Sequence, residues 1–181
     1  KQNEQINTFI TQGVDALIIN PCMTSAADSI IATVKAAGVP TVLINREPTA
    51  EQMSAYDKLV YVGCDAAQSG TFQGELILDT PNKGDINGDG KVSYIMIQGD
   101  PENIDAQLRT EYSVKALTDA GKEVEELNLT RGDWMRERGQ EIVANDLAQF
   151  GDQVEVVFCN NDDMAIGALQ SIQAAGRKVN E

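Results

Sequence analysis

"KGDINGDGKVSYIMIQGD", residues 83–100, places loop-forming polar residues directly ahead of an apolar strand. Its second half, "SYIMIQG" (93–99), is almost continuously hydrophobic rather than alternating, the pattern of a strand covered on both faces. Five further short apolar runs flank it: "ALIIN" (16–20), "TVLIN" (41–45), "LVYVGC" (59–64), "VEELNL" (124–129) and "VEVVFCN" (154–160). Only "VEELNL" alternates clearly, which predicts a strand nearer a sheet edge.

Between the runs lie stretches with helical spacing. Residues 1–12 put Ile6, Phe9 and Ile10 on one face. Residues 25–37 group Ile30, Ile31 and Val34 and stop at Gly38-Val39-Pro40. Residues 66–78, 104–120, 134–150 and 162–175 read likewise, with Gly121 and Gly176 at C-terminal cap positions. Strand and helix alternate throughout, so the expected class is α/β, with parallel sheets joined by right-handed crossovers. The passage "KLVYVGCDAAQSG" (58–70) leaves a strand for a helix without a conventional tight turn. It marks the expected boundary between two lobes, 1–64 and 65–181.

Composition excludes several functions. The 181 residues carry 28 acids against 14 bases, a net charge of −14, with no Lys/Arg cluster of the kind phosphate contacts need. A nucleic-acid partner is therefore not expected. No apolar stretch approaches the ~20 residues of a membrane span, so direct membrane insertion is not expected either. The chain has no His, which removes His-dependent triads, the common zinc sites and the usual proton shuttle. Cys22, Cys64 and Cys159 share no C-x-x-C spacing, and their odd number forbids a complete disulfide set. The opening "KQNEQINTF" shows neither an initiator Met nor a leader, and the expectation is an internal piece of a longer protein.

Ligands of open α/β sheets bind beyond the carboxyl ends of the strands. Those ends carry Asn45; then Asn103, Asp105 and Arg109 within "DPENIDAQLR"; then Trp134 in "TRGDW"; and Asn161 in "CNND". An aromatic face with amides, an acid and an Arg, but no nucleophile–base pair, suits a neutral polyhydroxyl ligand. Each residue also has a plainer role. Asn45 could form a turn, Asp105 and Arg109 a surface helix pair, Trp134 a core anchor, and Asn161 an N-cap.

In the loop ahead of the strand, Asp85, Asn87 and Asp89 alternate and Gly90 follows. Oxygens at every second residue and a Gly for a sharp turn are what a Ca²⁺ loop requires. An EF-hand would close the loop with a bidentate Glu at its twelfth position, which here is Met96. A solvated Gly/Asp turn, or a lone dockerin-like repeat, would share this pattern. A dockerin would need a second repeat and a helix after the loop.

Taken in order, "KQNEQINTFITQGVDALIINP", "INREP", "YDKLVYVGCD", "DINGDGKVS", "GDPENIDAQLRTEY" and "VEVVFCNNDDMAIGAL" resemble the periplasmic sugar-binding proteins of type I, in particular their galactose/glucose-binding branch. The resemblance covers essentially the whole chain. It implies two Rossmann-like lobes, truncated here at both ends, that close over a hexose. It also implies partners: the membrane subunits of an ABC importer and, in some bacteria, a chemoreceptor. The parent would be periplasmic or a membrane-anchored lipoprotein. By position, the sugar contacts would be Asn45, Asn103, Asp105, Arg109, Trp134 and Asn161, with Asn103 standing where the family has His. The resemblance implies a structural Ca²⁺ held by Asp85, Asn87, Asp89, the Lys91 carbonyl, Ser93 (where the family has Gln) and, from a distant strand, Glu155 in "QVEVVF". Two other classes share parts of this pattern. The ligand-sensing core of a LacI-type repressor has the same fold but little use for a calcium loop. A Rossmann enzyme would need a G-x-G-x-x-G or P-loop, and neither occurs. The expected protein is not an enzyme.

Overall fold

Each of the six apolar runs forms a strand of a parallel sheet in the computed structural model, which describes residues 1–179. The chain divides into two compact units. Lys1–Cys64 form the first, together with Glu102–Ile104, and Asp65–Pro101 with the chain from Asp105 onward form the second.

The first unit contains α1 (Gln2–Thr11), β1 (Leu17–Ile19), α2 (Ala27–Ala37), β2 (Thr41–Ile44), α3 (Ala50–Ser54) and β3 (Leu59–Val62). Its sheet has the order β1-β2-β3. Leu17, Ile19, Leu43 and Leu59 point to one side, where Ile6 of α1 and Ile30, Ile31 and Val34 of α2 close the core. Burying each such side chain contributes about 1.5–3 kcal/mol. Phe9 departs from its expected place on that face and is half exposed, at 49%. The opposite face also departs from expectation. Ile18, Val42 and Val60 are aligned across the three strands, yet Ile18 and Val60 are exposed. Both described long helices pack on the other side, so these runs are covered on one face only. The short α3 was not evident in the sequence. Its capping box, in which Thr49 accepts from the Gln52 backbone and the Gln52 side chain accepts from the Thr49 backbone, sustains a helix of five residues.

The second unit contains α4 (Ala66–Leu78), β4 (Lys91–Gln98), α5 (Ile104–Asp119), β5 (Glu123–Arg131), α6 (Arg136–Phe150), β6 (Val156–Cys159) and α7 (Asp162–Ala174). The sheet order is β5-β4-β6, so the run read as doubly covered is the central strand and the alternating run is an edge. Ile95 and Ile97 enter a core with Ile142, Val143 and Met164 on one face. Val92, Tyr94 and Met96 enter another with Leu117 and Phe158 on the opposite face. The strand thus carries apolar side chains in both directions because both sides are packed.

Asp146 of α6 is an exception within this unit, 5% exposed and accepting a 2.8 Å hydrogen bond from Asn128 Nδ2. Burial pushes its carboxyl above the usual range, partly opposed by that hydrogen bond. A raised carboxyl means that the folded chain keeps the proton longer than the unfolded one. The group's contribution therefore falls as pH rises through the acid range, and its charge is a cost at neutral pH. Asp146→Asn retains an oxygen for Asn128 and removes the charge. It is expected to raise the melting temperature at pH 7, with the difference from wild type shrinking toward pH 4. A lower melting temperature at pH 7 would show that the charge itself is needed.

Candidate functional site

The carboxyl ends of β4, β5 and β6 meet in one hydrogen-bonded cluster. Beyond β4, the Gly99 N–H donates to Asn160 Oδ1 at 3.0 Å. Asn160, directly after β6 and 2% exposed, donates its own amide to Thr110 of α5 at 3.1 Å. Its carbonyl accepts from Arg109 Nη1 at 2.9 Å. Arg109 in turn lies 3.8 Å from Asp105 Oδ2. The Asp105–Arg109 pair is therefore no surface helix pair. Asp105 is buried, and Arg109 is anchored to the end of β6.

Trp134 does not begin a helix, as the spacing of 134–150 suggested. After β5 the Gly132 N–H donates to Gln98 O at 2.7 Å. The chain then makes two successive left-handed residues, Asp133 (φ 52°) and Trp134 (φ 66°), and α6 starts only at Arg136. The indole lies over Gly99. A Cβ built on that glycine would come within 2.3–2.5 Å of three indole atoms, so no other residue fits there without moving the ring. The ring is half-buried and packs against the Ile95/Ile97 core, so it is part core anchor and part exposed face. Asn161 serves two ends. Its Oδ1 caps α7 by accepting from the Met164 N–H at 3.1 Å, and its Nδ2 donates to the Trp134 carbonyl at 3.2 Å. Beside the ring, Arg131 donates to Asp133 and holds its carboxyl below the usual range, with Arg138 adding to the effect.

Asp105, Arg109, Trp134 and Asn161 are thus linked through Gly99 and Asn160. Sequence reading noted Asn160 only as a neighbour and gave it no role. Its signal was a second amide at the same strand end. Asn103 sits in the turn before α5 and is 4% exposed. Asn45 belongs to the first unit. It is left-handed (φ 67°), donates to Asn20 Oδ1 at 3.3 Å and accepts from the Tyr61 hydroxyl at 2.9 Å. Asn20, at the matching end of β1, was also not singled out.

The loop at 85–93 runs into β4, not into a helix, unlike a dockerin repeat. Glu155, just before β6, reaches it from the far end of the sequence. One carboxylate oxygen accepts from the Ile86 and Asn87 N–H groups (2.7 and 2.9 Å), and the other accepts from Ser93 N–H at 2.9 Å. Asp85 accepts from the Gly88 and Gly90 N–H groups, and Asp89 from Lys91 N–H. Gly88 and Gly90 turn left-handed, with φ of 77° and 96°. The Lys91 side chain faces Glu123 and Glu125. Among the described residues, no three His, Cys, Asp or Glu side chains stand arranged to hold a metal. The acids are turned to backbone amides instead. The donor chemistry nevertheless fits a hard cation. Every donor is an oxygen; the two Asp85 oxygens and the second Glu155 oxygen each accept one N–H and keep a second lone pair, while the Glu155 oxygen facing Ile86 and Asn87 accepts two.

A family model described as periplasmic binding protein domain matches residues 1–180. The D-galactose/methyl-galactoside binding periplasmic protein MglB of Haemophilus influenzae is 35% identical over 98% of this chain and 55% of its own length. The ribose import binding protein RbsB of Bacillus subtilis is 31% identical over 99% of this chain and 53% of its own. A crystal structure of a galactofuranose binding protein superposes with a TM-score of 0.81 at 27% identity, covering 98% of this chain and 59% of that one. A solute-binding protein of an ABC transporter from Bacillus halodurans, with bound myo-inositol, gives 0.80 at 28% identity, covering 97% of this chain and 57% of that one. The chain spans about half the length of the relatives it matches.

Proposed function

The chain belongs to the periplasmic binding protein domain family, and from that premise we propose that it is part of an extracytoplasmic solute-binding protein that captures a hexose, galactose or glucose, for an ABC-type importer. The observation that carries this reading is the cluster beyond β4 and β6. It presents an aromatic face, a buried acid held against an Arg, and an amide, in a chain without His. That set recognises hydroxyls and C–H faces and offers no acid–base pair for catalysis.

In this reading Trp134 covers the apolar C–H side of the sugar ring. Asp105 accepts from hydroxyls, with Arg109 fixing its position and donating alongside it. Asn161 presents its amide beside the indole, and Asn103 takes the place of the family's His. Asn45 completes the proposed set of sugar contacts. A galactose-binding relative at 35% identity is in keeping with a hexose, while relatives at 35% and 31% are described as binding rhizopine and ribose. A periplasmic or lipid-anchored location, importer membrane subunits and a chemoreceptor complete the proposal. No described helix is long and apolar enough to cross a membrane.

We further propose a structural Ca²⁺ at the 85–93 loop, held by Asp85, Asn87, Asp89, the Lys91 carbonyl, Ser93 and Glu155. The contact of Glu155 with the loop supports it. Bound there, the ion would offset two of the three carboxylate charges of Asp85, Asp89 and Glu155 and tie the loop to the start of β6.

Calorimetric titration of the full-length protein with D-galactose, D-glucose and D-ribose tests the function. Saturable binding of a hexose, at least tenfold tighter than ribose, is expected. Binding of ribose alone would move the specificity to pentoses, and no heat with any of the three would overturn the sugar reading.

A further inference from the structure

Trp134 is held in a backbone conformation that its side chain disfavours, and the residue before it shares that conformation. Left-handed φ is uncommon outside glycine. Asp tolerates it better than most residues, and a bulky side chain tolerates it poorly. Two such residues in succession persist only where the surroundings over-determine them, and such places cluster at functional sites.

The surroundings are specific. The Asp133 carboxylate is gripped from two sides, by Arg131 Nε and, at 3.6 Å, by Arg138 Nη2. Arg131 also reaches Asp100 Oδ1 at 3.6 Å, and Asp100 directly follows the Gly99 on which the indole lies. The Arg131 side chain thus ties the turn to the strand end that carries the ring. The Met135 N–H closes the turn onto the Gly132 carbonyl at 3.0 Å, and Asn161 holds the Trp134 carbonyl. All of these contacts are made between residues of the chain itself.

We propose that Asp133 is a positioning residue: clamped between Arg131 and Arg138, it presets the left-handed turn that lays the Trp134 indole over Gly99 before any ligand arrives. The ligand-binding half of the inference rests on reading Trp134 as a sugar-facing ring. The positioning half stands on the turn alone. An aromatic wall already fixed in place lowers the ordering cost of binding. The three charged side chains are between about a third and a half exposed, so the clamp weakens as salt screens it.

The test uses the full-length protein and two readouts. One is the near-ultraviolet circular dichroism of Trp134 without sugar, the other calorimetric affinity for D-galactose. Asp133→Ala should lose most of the indole signal at a temperature where far-ultraviolet dichroism shows an intact fold. Its affinity should fall about tenfold, equivalent to about 1.4 kcal/mol. Asp133→Asn, which suits the left-handed region but lacks the charge, should fall between Asp133→Ala and wild type. Gly99→Ala should displace the ring directly and match the affinity loss while leaving the clamp intact. A wild-type indole signal in Asp133→Ala overturns the proposal, because a merely stabilising ion pair would lower the melting temperature without moving that signal. The ligand reading fails separately, if Trp134→Ala binds D-galactose as wild type does. The indole signal of Asp133→Ala decides the positioning role in either case.

Discussion

Calcium at about a hundred times its dissociation constant is expected to raise the melting temperature of the protein by roughly 5–10 °C, and EDTA to reverse the rise. A ligand that binds only the folded state at that excess contributes about 2.7 kcal/mol, and a domain of this size gains roughly 2–4 °C per kcal/mol. The folded state is favoured because the two halves of the site lie far apart in the chain, so the unfolded chain offers no assembled site. Glu155→Gln separates the ion from the hydrogen bonds. The amide keeps one acceptor oxygen where the carboxylate had two, so one side, either the Ile86/Asn87 amides or Ser93, loses its acceptor. That alone costs on the order of 1–3 kcal/mol with or without calcium. The diagnostic quantity is therefore the calcium-dependent increment, which should nearly vanish in the variant. Identical melting curves for wild type in EDTA and in millimolar Ca²⁺ would mean that the closed network of amides and carboxylates is the loop's whole structure.

Burial on both faces and strand position were legible wherever one chain segment carries its own evidence. Six consecutive buried residues in β4 can only be a central strand, and the alternation of β5 could only suit an edge. Glu155 was singled out only through the family resemblance, as a carboxylate from a distant strand. Which amides it would meet was not legible, since Ile86, Asn87 and Ser93 are brought to it only by the folded sheet. Trp134 was misread as the first residue of a helix because Met135 to Arg138, which follow it, are good helix formers. What breaks the helix there is a set of tertiary contacts from Arg138, Asn161 and Gly99. The exposed Ile18 and Val60 show the converse limit. An apolar run reports that a face is suited to burial, not which of the described elements will cover it.

Trp134→Ala is expected to weaken D-galactose binding by at least about a hundredfold, equivalent to about 2.7 kcal/mol. Tryptophans in well-packed recognition sites commonly cost 2 kcal/mol or more on truncation. Here the ring is set in place by its own turn, so its stacking energy is not spent on ordering it. The indole also packs on the Ile95/Ile97 core, so the variant loses stability too. A fully buried Trp→Ala costs about 3–5 kcal/mol, and a half-buried one should cost about half of that. Affinity must therefore be measured well below the variant's own melting temperature, with far-ultraviolet dichroism confirming the fold. Trp134→Phe divides the two roles. It keeps an aromatic face of smaller area and should recover much of the stability but only part of the affinity. If Trp134→Ala melts early yet binds D-galactose with wild-type affinity, the ring serves the core alone. The sugar-facing surface would then have to be sought among Asp105, Arg109 and Asn161 without it.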